Sequence, residues 1–175
     1  MTLPPPNSAQ EEAILSHPSV VRVRDAISAH FVNSTIVVLD TAGRTAVQAA
    51  AQLGVPVAQI VSSLVFAARE SRDAHPSPLL VLASGAHRVD TVKVAAALEI
   101  AELDRADADV VKRWTGFAIG GVAPVGHPHP IRTVIDVSLS RYERVWAAAG
   151  HPRAVFRTTY DELIRMSGGL PTEVV

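Results

Sequence analysis

Apolar residues recur at helical spacing early in the chain, where Val20, Val23, Ile27 and Phe31 fall on one helix face. A shorter helix is predicted before it, from Ser8 to Leu15, with Ser8 as its cap and Glu11 at the capping-box position. Ser16-His17-Pro18-Ser19 separates the two. The pattern then changes. Ile36 to Leu39 is rich in β-branched residues and predicts a strand, whereas Thr45 to Leu53 is Ala-rich and helical, with Gly54 as its stop. Ile60 to Ala67 and Leu79 to Ala83 predict strands that are apolar on both faces and therefore covered on both sides.

Asp90 caps a predicted helix running to about Leu98, Ile100 to Leu103 fits a short strand, and Ala106 to Arg113 is helical again. Thr133 to Ile135 and Ala154 to Phe156 read as strands, while Tyr142 to Ala148 fits either state. Thr159 to Met166 is a last helix, ended by Gly168-Gly169. Strands and helices alternate too irregularly for a βαβ array. The expectation is an α+β single domain, a mixed sheet with helices packed around it. A flexible leader over residues 1–9, a domain over 10–168 and a tail over 169–175 complete the division.

Thr45 to Ala68 carries no charge, which raises the question of a membrane span. Gln48, Gln52, Gln59, Ser62 and Ser63 recur through it, and Leu53-Gly54-Val55-Pro56 breaks it in the middle. Two short buried elements fit better, since Pro56 disfavours helix at the residue before it. The N-terminus lacks a basic region followed by an apolar stretch, so a signal peptide is not expected. The expected location is cytoplasmic, with no membrane partner.

The 175 residues suit one domain with a sizeable core, and 48% hydrophobic content excludes a disordered chain. The absence of cysteine excludes disulfides, a thiolate nucleophile and sulfur-ligated metals. A formal charge of −1 argues against a protein that coats nucleic acid, and DNA is not an expected partner, but a small RNA contact stays open.

The segment from Thr115 to Pro130 resists regular assignment. It is too apolar for a solvent loop and too rich in Gly and Pro for a helix. It is neither a phosphate-binding Walker loop nor a dinucleotide fingerprint, because the required spacings are missing. A buried turn built from small residues and a loop that cradles a ligand both fit. His127-Pro128-His129-Pro130 lacks a third ligand nearby, so no metal is expected. No G-x-S-x-G elbow is present, which disfavours a serine hydrolase. Asp136, after the Thr133–Ile135 strand, is either a functional carboxylate or the cap of a turn at Val137 to Ser140, with the cap the plainer reading. Lys93 alone reads as a solvated lysine.

Several segments taken in order resemble the YbaK/EbsC family of aminoacyl-tRNA deacylases, related to the editing domain of bacterial prolyl-tRNA synthetases. They are Thr45-Ala46 with Leu53-Gly54-Val55; Gln59 to Phe66; Gly85 with Arg88-Val89-Asp90 and Lys93; Thr115-Gly116-Phe117 through Gly120-Gly121-Val122-Ala123-Pro124-Val125-Gly126; Val134-Ile135-Asp136; and Ala148-Ala149-Gly150. The resemblance implies a curved, barrel-like sheet and trans-acting hydrolysis of the ester in a mischarged tRNA, with tRNAPro carrying Ala or Cys foremost. It implies no cofactor and no metal, and as partners the aminoacyl-tRNA acceptor end and prolyl-tRNA synthetase. By the same resemblance Gly120, Gly121 and Asp136 are catalytic candidates, the glycines offering backbone N–H groups to the ester carbonyl. Ser62, Lys93, Phe117 and Pro124 are the candidates for substrate binding.

One position departs from the family. Its central strand carries a lysine, held to contact the terminal phosphate or ribose, where this chain has Ser62, and serine supplies neither the charge nor the reach. Lys93 or an arginine substitutes, the substrate differs, or deacylation is weak. A non-catalytic module that kept the pocket and binds an aminoacyl-adenosine-like ligand, a tRNA 3′ end or a synthetase is the alternative.

Overall fold

The computed structural model describes residues Ser8 to Val175, so the expected leader lies outside the described residues except for its last two positions, which begin the first helix. That helix, α1 (Ser8–Leu15), and α2 (Pro18–Ala29) are separated by His17, whose ring nitrogen Nδ1 accepts the Ser19 N–H and caps α2. Val20, Val23 and Ile27 of α2 are buried as their spacing predicts. Phe31 is not. The helix ends at Ala29, Phe31 adopts φ 56° and is 94% exposed, and Val32 takes the core position instead.

The strand β1 (Ile36–Val38) is followed by α3 (Ala46–Leu53), which opens on a complete capping box between Thr45 and Gln48. A 3-10 turn then leads into the long β2 (Ile60–Arg69) and β3 (Ser77–Ser84). Asp90 caps α4 (Thr91–Ala97) through the Lys93 N–H, as predicted. The next strand is displaced: β4 is Glu102–Arg105, because Ile100 turns inward and its N–H completes the end of α4 at Ala95 O. Asp107 caps α5 (Ala108–Thr115). Beyond the glycine-rich segment come β5 (Arg132–Asp136), β6 (Val145–His151), β7 (Ala154–Thr158), α6 (Tyr160–Ser167) and β8 (Leu170–Thr172). The stretch that fits either state, Tyr142 to Ala148, resolves into irregular chain and β6.

All eight strands join one mixed sheet in the order β1-β7-β6-β2-β3-β5-β8, with β4 paired to β2 off this path. The sheet curls into a half-barrel surrounded by helices, the α+β single domain expected. Residues 169–175 include β8. Leu170–Thr172 pairs in parallel with β5, Val174 is fully buried, and its carbonyl accepts the Asp90 N–H. Pro171 obscures that strand in the sequence, but a proline is tolerated where the strand lies at the edge. Inside the curl, Val61, Val65, Leu80, Leu82, Ile135 and Phe156 pack with α2, Phe117 and α6. The opposite faces of β2 and β3 pack with α4, and α3 covers Ile60 and Val155.

Candidate functional site

β2 is the hinge of the site because its two edges are occupied differently. One edge pairs with β3 from Val61 to Ala68. The other meets β6 only at Ile60 and Val61, and β4 only from Phe66 onward. Between those contacts the strand edge from Ser62 to Val65 has no neighbouring strand among the described residues; Val65 O there accepts the Ala106 N–H at 3.3 Å. A sheet edge presents backbone donors and acceptors that need partners.

A cavity of about 520 Å³ opens at this split, within the range of small-molecule sites. Its floor is Ile60 to Val65, its walls are the start of α3, Trp146 to Ala148 of β6 and the tip of the glycine segment at Ile119-Gly120, and its far rim is Arg105 and Ala106. Ala46, Ala49, Ala147 and Ala148 keep it wide by being small. Ser63 Oγ is buried there with no hydrogen-bond partner among the described residues. Buried polar atoms are almost always partnered, so an orphaned hydroxyl at a cavity is a group left for a ligand.

Two arginines flank the opening. Arg44 and Arg105 are both exposed, and neither joins an ion pair among the described residues. Arg44 leans on the glycine tip: a Cβ added to Gly120 would stand 3.3 Å from Arg44 Cγ, and Gly120 holds φ +92°, where side chains are strained. The backbone conformation favours glycine there, and an added Cβ would also press on the Arg44 stem. Gly121 is buried against the backbone of His151, and its N–H donates to Ala118 O at 3.0 Å.

The glycine segment is thus two things at once. Its tip faces the cavity, while its stem is core: Phe117 and Ala123 are fully buried, and Pro124 is buried. Arg22 of α2 clamps the stem, donating to Gly126 O and Gly116 O and standing 4.8 Å over the Phe117 ring. His127 Nε2 donates to Ala123 O at 2.8 Å; burial, with Arg22 adding to it, pushes its pKa below the ordinary histidine range despite that bond.

Of the residues named from the sequence, Ser62 and Gly120 line the cavity. Phe117 and Pro124 support it from the core, and Gly121 spends its N–H inside the loop. Proline has no N–H to offer. Lys93 stands elsewhere, with its ammonium group on Val175 O and paired with Glu173 at 3.4 Å. Asp136 is also elsewhere, at the end of β5, only 2% exposed. It accepts the N–H groups of Ser84 and Ser138 and faces His87 Nδ1 at 2.8 Å. Burial alone would raise this carboxyl, but those hydrogen bonds outweigh it and hold the pKa below the ordinary range. A serine–histidine–aspartate relay needs hydroxyl and carboxylate on opposite ring nitrogens. Here Ser138 Oγ and Asp136 both lie at Nδ1, so the three do not form that relay, and Asp136 caps the turn that begins at Val137 by accepting the Ser138 N–H.

Arg44, Arg105, Ser63 and Trp146 were missed. No motif marks them: Arg44 only precedes a helix cap, and the arrangement depends on where β4 and β6 stop. Among the described residues no three His, Asp or Glu side chains gather as a metal set, and no helix is long and apolar enough to cross a membrane.

A model of the aminoacyl-tRNA editing domain matches residues 40–166. The Bacillus subtilis protein YwhH is 30% identical over 128 residues, covering 73% of this chain and 78% of YwhH. A proline–tRNA ligase of Latilactobacillus sakei is 34% identical over 92 residues, which are 53% of this chain but 15% of the ligase. A crystal structure of "a putative trans-editing enzyme for prolyl tRNA synthetase" superposes with TM-score 0.79 at 38% identity, covering 90% of this chain and 97% of that one.

Proposed function

The chain belongs to the aminoacyl-tRNA editing domain family, and on that premise we propose that it is a trans-acting deacylase, hydrolysing the ester that joins a wrong amino acid to the 3′ end of a tRNA. The observation that carries this is Arg44, whose aliphatic stem packs on the Gly120 tip at the cavity opening and whose guanidinium has no ion-pair partner among the described residues. It stands where a cation is needed and Ser62 supplies none. Arg44 binds the terminal phosphate, with Arg105 on the far rim, and a guanidinium meets phosphate oxygens in pairs. The esterified sugar then lies over Ser62 and Ser63, and the small cavity walls accept a short amino-acid side chain such as that of Ala. The Gly120 N–H, which has no acceptor among the described residues, polarises the ester carbonyl.

Water adds to the carbonyl carbon, the tetrahedral oxyanion collapses, and the sugar oxygen leaves with a proton, giving a free amino acid and the tRNA. Among the described residues no Asp, Glu, His, Lys or Tyr lines the cavity. The proton of the attacking water therefore passes to the substrate or to solvent, and catalysis rests on positioning and carbonyl polarisation. The rate should climb steadily with pH, without the bell of a paired acid and base.

The test is hydrolysis of a panel of mischarged tRNAs, tRNAPro carrying Ala or Cys first, by the protein and by Arg44→Ala. The variant should lose roughly 10–100-fold in kcat/KM, the worth of one charged hydrogen-bonded contact, with an unchanged Tm. Panel members that decay no faster than in buffer would remove the enzyme reading. The missing lysine at Ser62 favours a second one, a module that binds the same end without turnover. Saturable binding without hydrolysis, restored to hydrolysis by Ser62→Lys, is its signature.

A further inference from the structure

We infer that the sheet face beside the cavity holds a second subsite, for the nucleotide preceding the esterified one in a single-stranded RNA 3′ end; this rests on the editing reading above. A second cavity of about 470 Å³ adjoins the first, and Trp146 lines both. Register makes them neighbours. Trp146 pairs with Ile60 on one side, at the floor of the first cavity, and with Arg157 on the other, at the wall of the second. Residues paired across adjacent strands share a face, so Ile60, Trp146 and Arg157 form one row. Arg144 enters the second cavity from the segment just before β6.

The chemistry of the second cavity is that of a polynucleotide groove. Arg144 and Arg157 are exposed and outside every ion pair among the described residues. Arg144 makes only a 3.5 Å contact with the carbonyl of the preceding residue. Against these two cations stands one acid, Glu162, whose Oε2 already accepts the Thr158 hydroxyl at 3.0 Å. Asn33 adds a neutral polar group suited to a sugar or a base edge, while the Ser34 hydroxyl already donates to Arg157 O at 2.6 Å. Basic side chains that follow a backbone, beside an aromatic ring on which a base stacks, are how single strands are held without reading their sequence. A protein partner would need apolar area, and the lining has little beyond Val37 and Trp146.

The strand therefore runs from the first cavity, across Trp146, to Arg144 and Arg157. The double variant Arg144→Ala/Arg157→Ala tests this, because truncating Trp146 would also disturb the packing under α3. Two substrates are compared: a mischarged tRNA, and the same amino acid esterified to adenosine alone. The ratio of their kcat/KM values should fall roughly tenfold in the double variant, through KM for the tRNA. An unchanged ratio overturns the subsite, including the case in which the arginines serve a protein partner. Binding of an uncharged RNA hairpin with a single-stranded 3′ end, followed by anisotropy, separates the two claims. If the protein hydrolyses nothing, the editing reading falls, yet a tenfold weaker affinity of the double variant for that hairpin still supports the subsite. Equal affinity overturns it.

Discussion

At the ends of β3 and β5, Asp136 is hidden from solvent and accepts hydrogen bonds from Ser84 and Ser138 with His87 at its side. Along the open edge of β2, Ser63 Oγ is just as hidden and has no partner among the described residues. Both clusters are polar groups inside a mostly aliphatic fold, and from the sequence Asp136 is the more attractive of the two. Their hydrogen-bond accounts reverse that order. A carboxylate whose acceptor capacity is filled by its own chain is fastening strands, whereas a hydroxyl with no partner among the described residues, in a cavity that Arg44 and Arg105 also line, has capacity for a ligand. Chemical reactivity of a residue type is a poorer guide to a site than unmet bonding capacity.

The largest effect that separates the clusters is expected at Asp136. Asp136→Ala leaves two backbone donors buried without an acceptor and should lower the unfolding free energy by about 3 kcal/mol, measured by urea denaturation. Per folded molecule, hydrolysis should change little. Loss of turnover at full stability would instead place this carboxylate in the chemistry.

Acid should act on stability in two stages. The pKa of His127 is lowered chiefly by burial, and that of His151 by burial together with His17 and Arg153. A histidine held neutral by the fold contributes stability that is complete above its unfolded pKa, about 6.5, and is lost as pH falls below it. Asp136 is depressed too, so its contribution is complete above about 3.9 and is lost only as pH falls through its lower native value. Tm measured from pH 8 downward should therefore decline first near 6.5 and again below 4, with His127→Gln flattening the first stage. A flat Tm between pH 7 and 5 would contradict this.

Ser63→Ala should do least to the fold, within about 0.5 kcal/mol of the parent, because no bond is broken. Its effect should appear in KM for the aminoacyl ester. A clear destabilisation would show that the hydroxyl is held by the fold after all, and would erase the contrast with Asp136.

Much of the framework was legible because its causes are local. The Ala-rich helix after Thr45 with its stop at Gly54, the Asp90 cap and the doubly buried runs of β2 and β3 depend on neighbours within a few residues. Where a local pattern competed with packing, the reading slipped. Phe31 kept the helical period but lost the core to Val32, and Pro171 masked an edge strand that pairs only once β5 is in place. The ordered segments from Thr45 to Gly150 likewise pointed to the editing family, because a family is written in the order of its motifs. Tertiary structure alone decided which of those motif residues face the cavity. β4 and β6 stop short of each other along β2, and that gap, set by contacts between residues 33 or more positions apart in sequence, opens the strand edge. It also brings Arg44 to Gly120 across 76 positions of chain. Residue order specifies such a meeting only through the whole fold, so neither the split nor its arginines could be read along the chain.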